Sequence, residues 1–302
     1  MIPDYQSLML PVLQFISDNK EHKVSDIVDA LAVKFKLTDD EKRELLPSGQ
    51  SSLFHNRVHW AKTYLKKSGL LDYPKRGAII ITIRGREVLK EKPSEINVKF
   101  LRKFPEFLEF AVKKGNSGET EATVVEEVKK QTPEELIDAG YLSIRKTLEE
   151  EILAKLKTVN PSFFERIVVR LLVKMGYGGS IQDAGKAIGK SGDEGIDGII
   201  KEDKLGLDVI YIQAKRWEGV IGRPELHKFV GALAGQGAKK GIFITTSFFT
   251  KEAIEYTPKN ETKIVLIDGR KLAEFMIDYN LGVSLQNIYE IKKIDSDYFE
   301  EE

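Results

Sequence analysis

Gly195-Ile196-Asp197-Gly198-Ile199-Ile200 and Asp208-Val209-Ile210-Tyr211-Ile212-Gln213-Ala214-Lys215 are the two stretches on which the reading of this chain turns. Each contains a short run rich in valine and isoleucine, as a buried strand does. The second run ends in Gln213 and Lys215, which lie two positions apart and so project from one face of a strand. If the two runs form a hairpin, both can face Asp197. Outward from them, 162–175 places Phe163, Phe164, Ile167, Val168, Leu171 and Leu172 at helical spacing. Further helices are expected over 223–233, 250–256 and 270–279, and strands over 240–246 and 263–268. A helix, an antiparallel pair, then alternating helix and strand predict an α/β sheet with helices on both faces.

The first 92 residues read differently. Helices are expected over 5–17 (Leu8, Val12, Leu13, Ile16), over 23–35 (Val24, Ile27, Val28, Leu31, Phe35; Ser25 and Asp26 as caps) and over 54–67 (Val58, Trp60, Ala61, Leu65). Gly69 stops the third. Strands over 70–73 and 78–83 flank the turn Pro74-Lys75-Arg76-Gly77, and Arg84-Gly85-Arg86 opens a short helix. Three helices with a terminal hairpin are the layout of a winged helix-turn-helix, whose third helix enters the major groove of DNA. The chain thus divides into a winged-helix DNA-binding domain at 1–92, a helical linker at 93–157 and a catalytic α/β domain at 158–302. The linker is rich in Lys and Glu, with a flexible Lys113-Lys114-Gly115-Asn116-Ser117-Gly118, a helix start at Thr132-Pro133-Glu134-Glu135 and a helix over 141–157.

Composition bounds the function. The 302 residues suit about two domains. The absence of cysteine excludes disulfides, thiolate zinc sites and cysteine nucleophiles. Residues 1–20 lack the basic start of a signal peptide, and no stretch nears the ~20 apolar residues of a membrane span. A cytoplasmic, nucleoid-associated protein with no membrane partner is expected. No GxxxxGK[ST] motif is present, since 185–192 fails the spacing, so no nucleotide cofactor is expected. Net charge is zero, yet 54–92 holds ten Lys/Arg against three acids. For a nucleic-acid partner a patch matters more than a total.

The chemistry is carried by Asp197, Gln213 and Lys215. A carboxylate, a neutral oxygen donor and a lysine on one sheet surface suit a hard cation such as Mg2+ beside a cationic group. One carboxylate is few, so Glu165 on the 161–175 helix is the candidate for a further acid, giving Asp197, Gln213 and Glu165 as metal ligands. The Ala214 carbonyl and Asp193 are additional oxygen sources. Each feature also has a structural alternative: Asp beside Gly as a turn former, Gln-x-Lys as a solvent-facing strand end, Glu165 as a solvated helix face. Against these, Gln213 and Lys215 follow a run suited to a central strand, where polar residues are out of place.

Several longer motifs resemble the Mrr restriction endonucleases: Asn160-Pro161-Ser162-Phe163-Phe164-Glu165, Met175-Gly176-Tyr177-Gly178-Gly179, Gly195-Ile196-Asp197-Gly198, Tyr211-Ile212-Gln213-Ala214-Lys215-Arg216-Trp217, Gly222-Arg223-Pro224-Glu225-Leu226, Gly231-Ala232-Leu233-Ala234-Gly235-Gln236 and Gly241-Ile242-Phe243-Ile244-Thr245-Thr246-Ser247. Ser48-Gly49-Gln50, Asn56-Arg57-Val58-His59-Trp60-Ala61 and the closing Asp297-Tyr298-Phe299-Glu300-Glu301 extend the resemblance over nearly the whole chain. It implies a type IV restriction enzyme, which cleaves DNA carrying methylated bases, with a PD-(D/E)XK-type domain in which glutamine replaces the second acid. Asp197, Gln213 and Lys215 then carry the motif and Glu165 the helix acid. Family members often have two glycines before the Ile-Asp pair where this chain has Glu194-Gly195.

On the DNA-binding side, Asn56, Arg57 and His59 are expected to reach base edges from the third helix. Lys62, Lys66, Lys67, Lys75, Arg76, Arg84 and Arg86 are expected to hold phosphates, with Arg216 lining the groove beside the catalytic lysine. Trp60 reads as core, and Trp217 either lines the groove or packs under the following helix. Cutting both strands implies a homodimer or higher oligomer. The alternatives are a repair or junction nuclease on the same fold, and a winged-helix regulator whose nuclease-like domain is inactive and used for dimerisation.

Overall fold

The computed structural model describes residues 1–49, 51–75, 77–112, 130–178, 195–203, 205–256, 261–295 and 298. Gln50, Arg76, Asp193, Glu194, the 113–118 stretch and most of the closing motif lie outside the described residues. The chain forms two compact units, Met1–Leu142 with Lys292–Glu302, and Ser143–Ile291.

In the first unit the apolar faces read from the sequence fold onto one another. Helix α1 (Tyr5–Phe15), whose N-terminal amides of Gln6 and Ser7 donate to the Asp4 carboxylate, buries Leu8, Met9, Val12 and Leu13. Against it lie α2 (Val24–Lys34) and α4 (Leu53–Lys67), which contribute Ile27, Leu31, Val58, Ala61 and Leu65. Gly69 ends α4 at φ 70°, a backbone that costs glycine little. The hairpin of β2 (Leu71–Asp72) and β3 (Ala78–Ile81) follows, and β1 (His22–Lys23) adds to its other edge in the order β1-β3-β2. Helix α5 (Ile83–Lys90) is capped by Thr82, whose hydroxyl accepts from the Gly85 amide.

Several elements differ from the sequence reading. Ser25 and Asp26 do not cap α2; the chain enters that helix directly from β1 at Lys23, without a side-chain cap, and both residues already lie inside its first turn. A short α3 (Asp39–Arg43), held by a Thr38–Glu41 capping box, precedes α4. The stretch beyond 92 holds α6 (Val98–Leu101), α7 (Pro105–Val112) and the start of α8 (Pro133–Thr158), and Leu101 and Phe107 join the first unit's core. Helix α8 is one continuous element from Pro133 rather than a separate helix over 141–157.

The second unit is a mixed sheet with a core on each face. Strands β4 (Gly198–Lys201) and β5 (Val209–Lys215) pair antiparallel, while β6 (Lys240–Thr245) and β7 (Lys263–Ile267) continue in parallel, in the order β4-β5-β6-β7. One face packs Ile200, Ile210, Ile212 and Ile244 against α9 (Pro161–Lys174), α12 (Gly269–Asp278) and the end of α8. The other packs Phe243, with Tyr211 and Leu266, against α10 (Arg223–Gly235) and α11 (Lys251–Ile254). Strand β6 is buried along nearly its whole length, as a central strand covered on both faces must be. This is the mixed α/β architecture expected.

Candidate active site and nucleic-acid interface

Register builds the site. Gly198 lies opposite Ile212, so Asp197, the residue before β4, falls beside Gln213. The Asp197 amide donates to the Ile212 carbonyl at 2.8 Å, and its Oδ2 accepts from the Ala214 amide at 2.7 Å. Asp197 is thus tied to β5 at two points. Tyr211, Gln213 and Lys215 alternate with Ile210, Ile212 and Ala214, so Gln213 and Lys215 share the face on which Tyr211 meets the α10 core.

Gly195 makes room for the amide. It sits at φ 100°, and a Cβ there would come within 3.1 Å of Gln213 Nε2. The other end of that amide, Gln213 Oε1, is buried and has no hydrogen-bond partner among the described residues. A buried acceptor without a donor is costly and calls for an explanation.

Two carboxyl groups approach each other here. Burial raises the Asp197 carboxyl above its usual range, although the Ala214 amide and Lys215 pull it back. Burial also raises Glu165, on α9 after the Asn160 cap and Pro161, and the nearby Asp197 charge adds to the effect. Glu165 therefore joins Asp197 electrostatically.

Lys215 Nζ bonds the Glu225 carboxylate and lies 4.1 Å from the centre of the Trp217 ring. Glu225 sits in the first turn of α10 and also takes Lys228 Nζ at 2.8 Å. The loop between Lys215 and α10 is pinned to the end of β6: Thr246 Oγ1 accepts from the Trp217 amide, and Ile221 and Phe249 form a parallel bridge. Sequence reasoning passed over Glu225 as a site residue. Its signals were a helix start, Arg223-Pro224-Glu225, ten residues beyond the lysine, and its place in the Gly222–Leu226 motif of the resemblance.

The residues present fit a hard cation. Gln213 Oε1 lacks a partner, Asp197 Oδ1 takes no hydrogen bond among the described residues, and Glu165 is near enough for its carboxyl to feel the Asp197 charge. All three are oxygen donors. No cluster of three or more His, Cys, Asp or Glu suited to a metal occurs among the described residues.

On α4 the structure divides the expected DNA contacts. Arg57 is turned inward: its Nη2 and Nε meet Glu135 Oε1 at 2.7 and 2.8 Å, and its Nη1 donates to the carbonyls of Ile2 and Pro3. Asn56 Oδ1 accepts from Thr132 Oγ1 at 2.7 Å, and Trp60 Nε1 donates to Glu134. Asn56 and Arg57 are therefore held by Thr132 and Glu135 at the start of α8. His59, Lys62 and Lys66 remain on the outer face, joined by His55, which sequence reasoning missed; the spacing 55, 59, 62, 66 is one helical stripe. Lys62 and Lys66 lie 5.0 and 4.0 Å from the centre of the hairpin's Tyr73 ring. Lys75 pairs with Glu21, and Arg84 with Glu106. Arg216 donates to the Lys157 carbonyl at the end of α8, at 2.6 Å.

Comparison with known proteins agrees with this architecture. Residues 156–276 match the restriction endonuclease catalytic family, and residues 5–91 match the Mrr N-terminal domain. The chain is 36% identical to the type IV methyl-directed restriction enzyme EcoKMrr of Escherichia coli K12, over 99% of both chains. A structure of the MspJI restriction endonuclease with a 27-mer oligonucleotide aligns with 55% of this chain and 37% of its own at 17% identity, but its TM-score of 0.27 adds no weight. No helix among the described residues is long and apolar enough to cross a membrane. With two domains matched in order and a relative aligned end to end, the chain belongs to the Mrr family of type IV restriction endonucleases.

Proposed function

We propose that this enzyme is a magnesium-dependent endonuclease that hydrolyses phosphodiester bonds in methylated double-stranded DNA, with Asp197, Gln213 and Glu165 holding the metal and Lys215 serving the phosphate. The observation that carries the reading is the buried, unpartnered Gln213 Oε1 beside Asp197 and in line with Lys215. When bound, magnesium lowers the pKa of a water and neutralises phosphate charge. Lys215 supplies positive charge to the phosphorane as it develops. Gly195 and the Ala214 amide fix the orientation of Gln213 and Asp197. Methylated DNA as substrate is supported by the methyl-directed activity named for the Escherichia coli relative.

The winged-helix domain of the first ~92 residues is the DNA-binding module in this reading. Its contacts run along His55, His59, Lys62 and Lys66 with Lys75 on the hairpin, and the enzyme works in the cytoplasm on nucleoid or incoming DNA. The test is cleavage of plasmids that are unmethylated or carry defined methyl marks, with magnesium or EDTA. Magnesium-dependent cutting of a methylated subset, lost in Asp197→Ala and Lys215→Ala variants that still fold, is expected. Equal cutting of unmethylated plasmid, or full activity in either variant, overturns the assignment.

A further inference from the structure

Lys215 has two anionic neighbours to choose between. Asp197 is close enough for its carboxyl to feel the ammonium charge, yet no ion pair joins them among the described residues. The ion pair goes to Glu225 on α10. Glu225 is itself held by Lys228 and is only 21% exposed, and the Trp217 ring lies against the same ammonium. Asp197 lies beside Gln213, two positions from Lys215 on the same strand face, so a lysine freed from Glu225 would have a carboxylate whose charge it already meets as its alternative partner. That ion pair would place a cation on the oxygen which the metal requires.

We infer that Glu225 is a positioning residue that holds Lys215 on the α10 side of the site, so that Asp197 and Gln213 stay open to the metal while the ammonium faces the phosphate. This rests on the metal-nuclease reading above. It assigns Glu225 no contact with substrate or metal. Its effect passes through Lys215.

The test uses the full chain without DNA. Manganese(II) binding is titrated by electron paramagnetic resonance for wild type, Glu225→Gln, Glu225→Asp, Lys215→Met and the double variant Glu225→Gln/Lys215→Met, each checked for folding by circular dichroism. Glu225→Gln is nearly isosteric and should bind manganese about 10–100-fold more weakly, the usual scale for a residue that orients a ligand shell. Glu225→Asp should recover part of the loss. Adding Lys215→Met should restore binding, because no ammonium remains to occupy Asp197; a purely structural role for Glu225 predicts no such rescue. Single-turnover cleavage by Glu225→Gln should slow on the same scale, with DNA affinity unchanged. Wild-type manganese affinity in Glu225→Gln, or a loss that Lys215→Met does not repair, overturns the inference. A wild type that binds no manganese and cuts no DNA overturns the metal reading beneath it.

Discussion

At the scale of single residues, Asp197 sets chemistry against stability. Its carboxyl is raised by burial, so the folded protein holds that proton more tightly than the unfolded chain does. The stability this contributes is present below the ordinary carboxylate value and is lost as pH rises through the folded one. Above that window the ionised group is a cost. Asp197→Asn should therefore abolish cleavage yet raise the melting temperature of the metal-free enzyme at neutral pH. The difference should shrink as pH falls toward the ordinary carboxylate range. Calorimetry in EDTA across that range checks it, and a variant that melts lower than wild type at pH 7 would contradict it. The approach of Asp197, Gln213 and Lys215 was legible in the sequence, because the period of two along a strand decides from spacing alone which side chains share a face. The Lys215–Glu225 pair was not, because it depends on a loop returning to β6 through Thr246 and Phe249, which no periodicity encodes.

At the scale of elements, the first turn of α8 does more than lead away from the N-terminal module. Thr132 and Glu135 cap the helix reciprocally while Glu135 pairs with Arg57, at 8% and 17% side-chain exposure. Removing one partner of such a pair costs about 3–5 kcal/mol, and loss of a buried phenylalanine such as Phe107 costs a similar ~3–5 kcal/mol. A fragment ending at residue 92 lacks both, against a total stability of roughly 5–15 kcal/mol. Melts followed by circular dichroism should show a cooperative transition for 1–142 and a far lower one, or none, for 1–92; equal midpoints would refute the role given to α8. The three main helices and the hairpin were readable because their apolar spacing is regular over ten or more residues or bounded by turn signals. Two-residue β1 and five-residue α3 are too short to carry a period. Gly140 and the exposed Ile137, Tyr141 and Ile144 obscure the continuity of α8, whose buried apolar residues come late, at Ile152 and Leu156.

At the scale of the whole molecule, zero net charge coexists with a basic segment in which Arg57 is spent on Glu135 inside the chain, while Lys66 and Lys75 pair with Asp72 and Glu21 only at the surface, where such pairs are weak and a phosphate can replace the carboxylate. What is left for DNA is a narrow stripe rather than a broad field. Each chain holds one Asp197–Gln213–Lys215 set, and the proposed activity therefore predicts that two copies act together to break both strands at once. Nicked circles should accumulate when the enzyme is dilute, and linear product should appear without a nicked precursor when it is concentrated. A nicked-to-linear ratio indifferent to enzyme concentration would count against paired action.

The short outer strand β4 has a consequence of its own. Four residues hold it against β5, and Asp197 faces Gln213 only because Gly198 lies opposite Ile212. Sliding β4 by a single residue would turn every side chain on it to the opposite face. Ile200 would leave the core it now fills, and Asp197 would lose its place opposite Gln213. At this edge of the sheet, packing the domain and aligning the blades are therefore a single event, and a chain that has not finished folding has nothing to cut with.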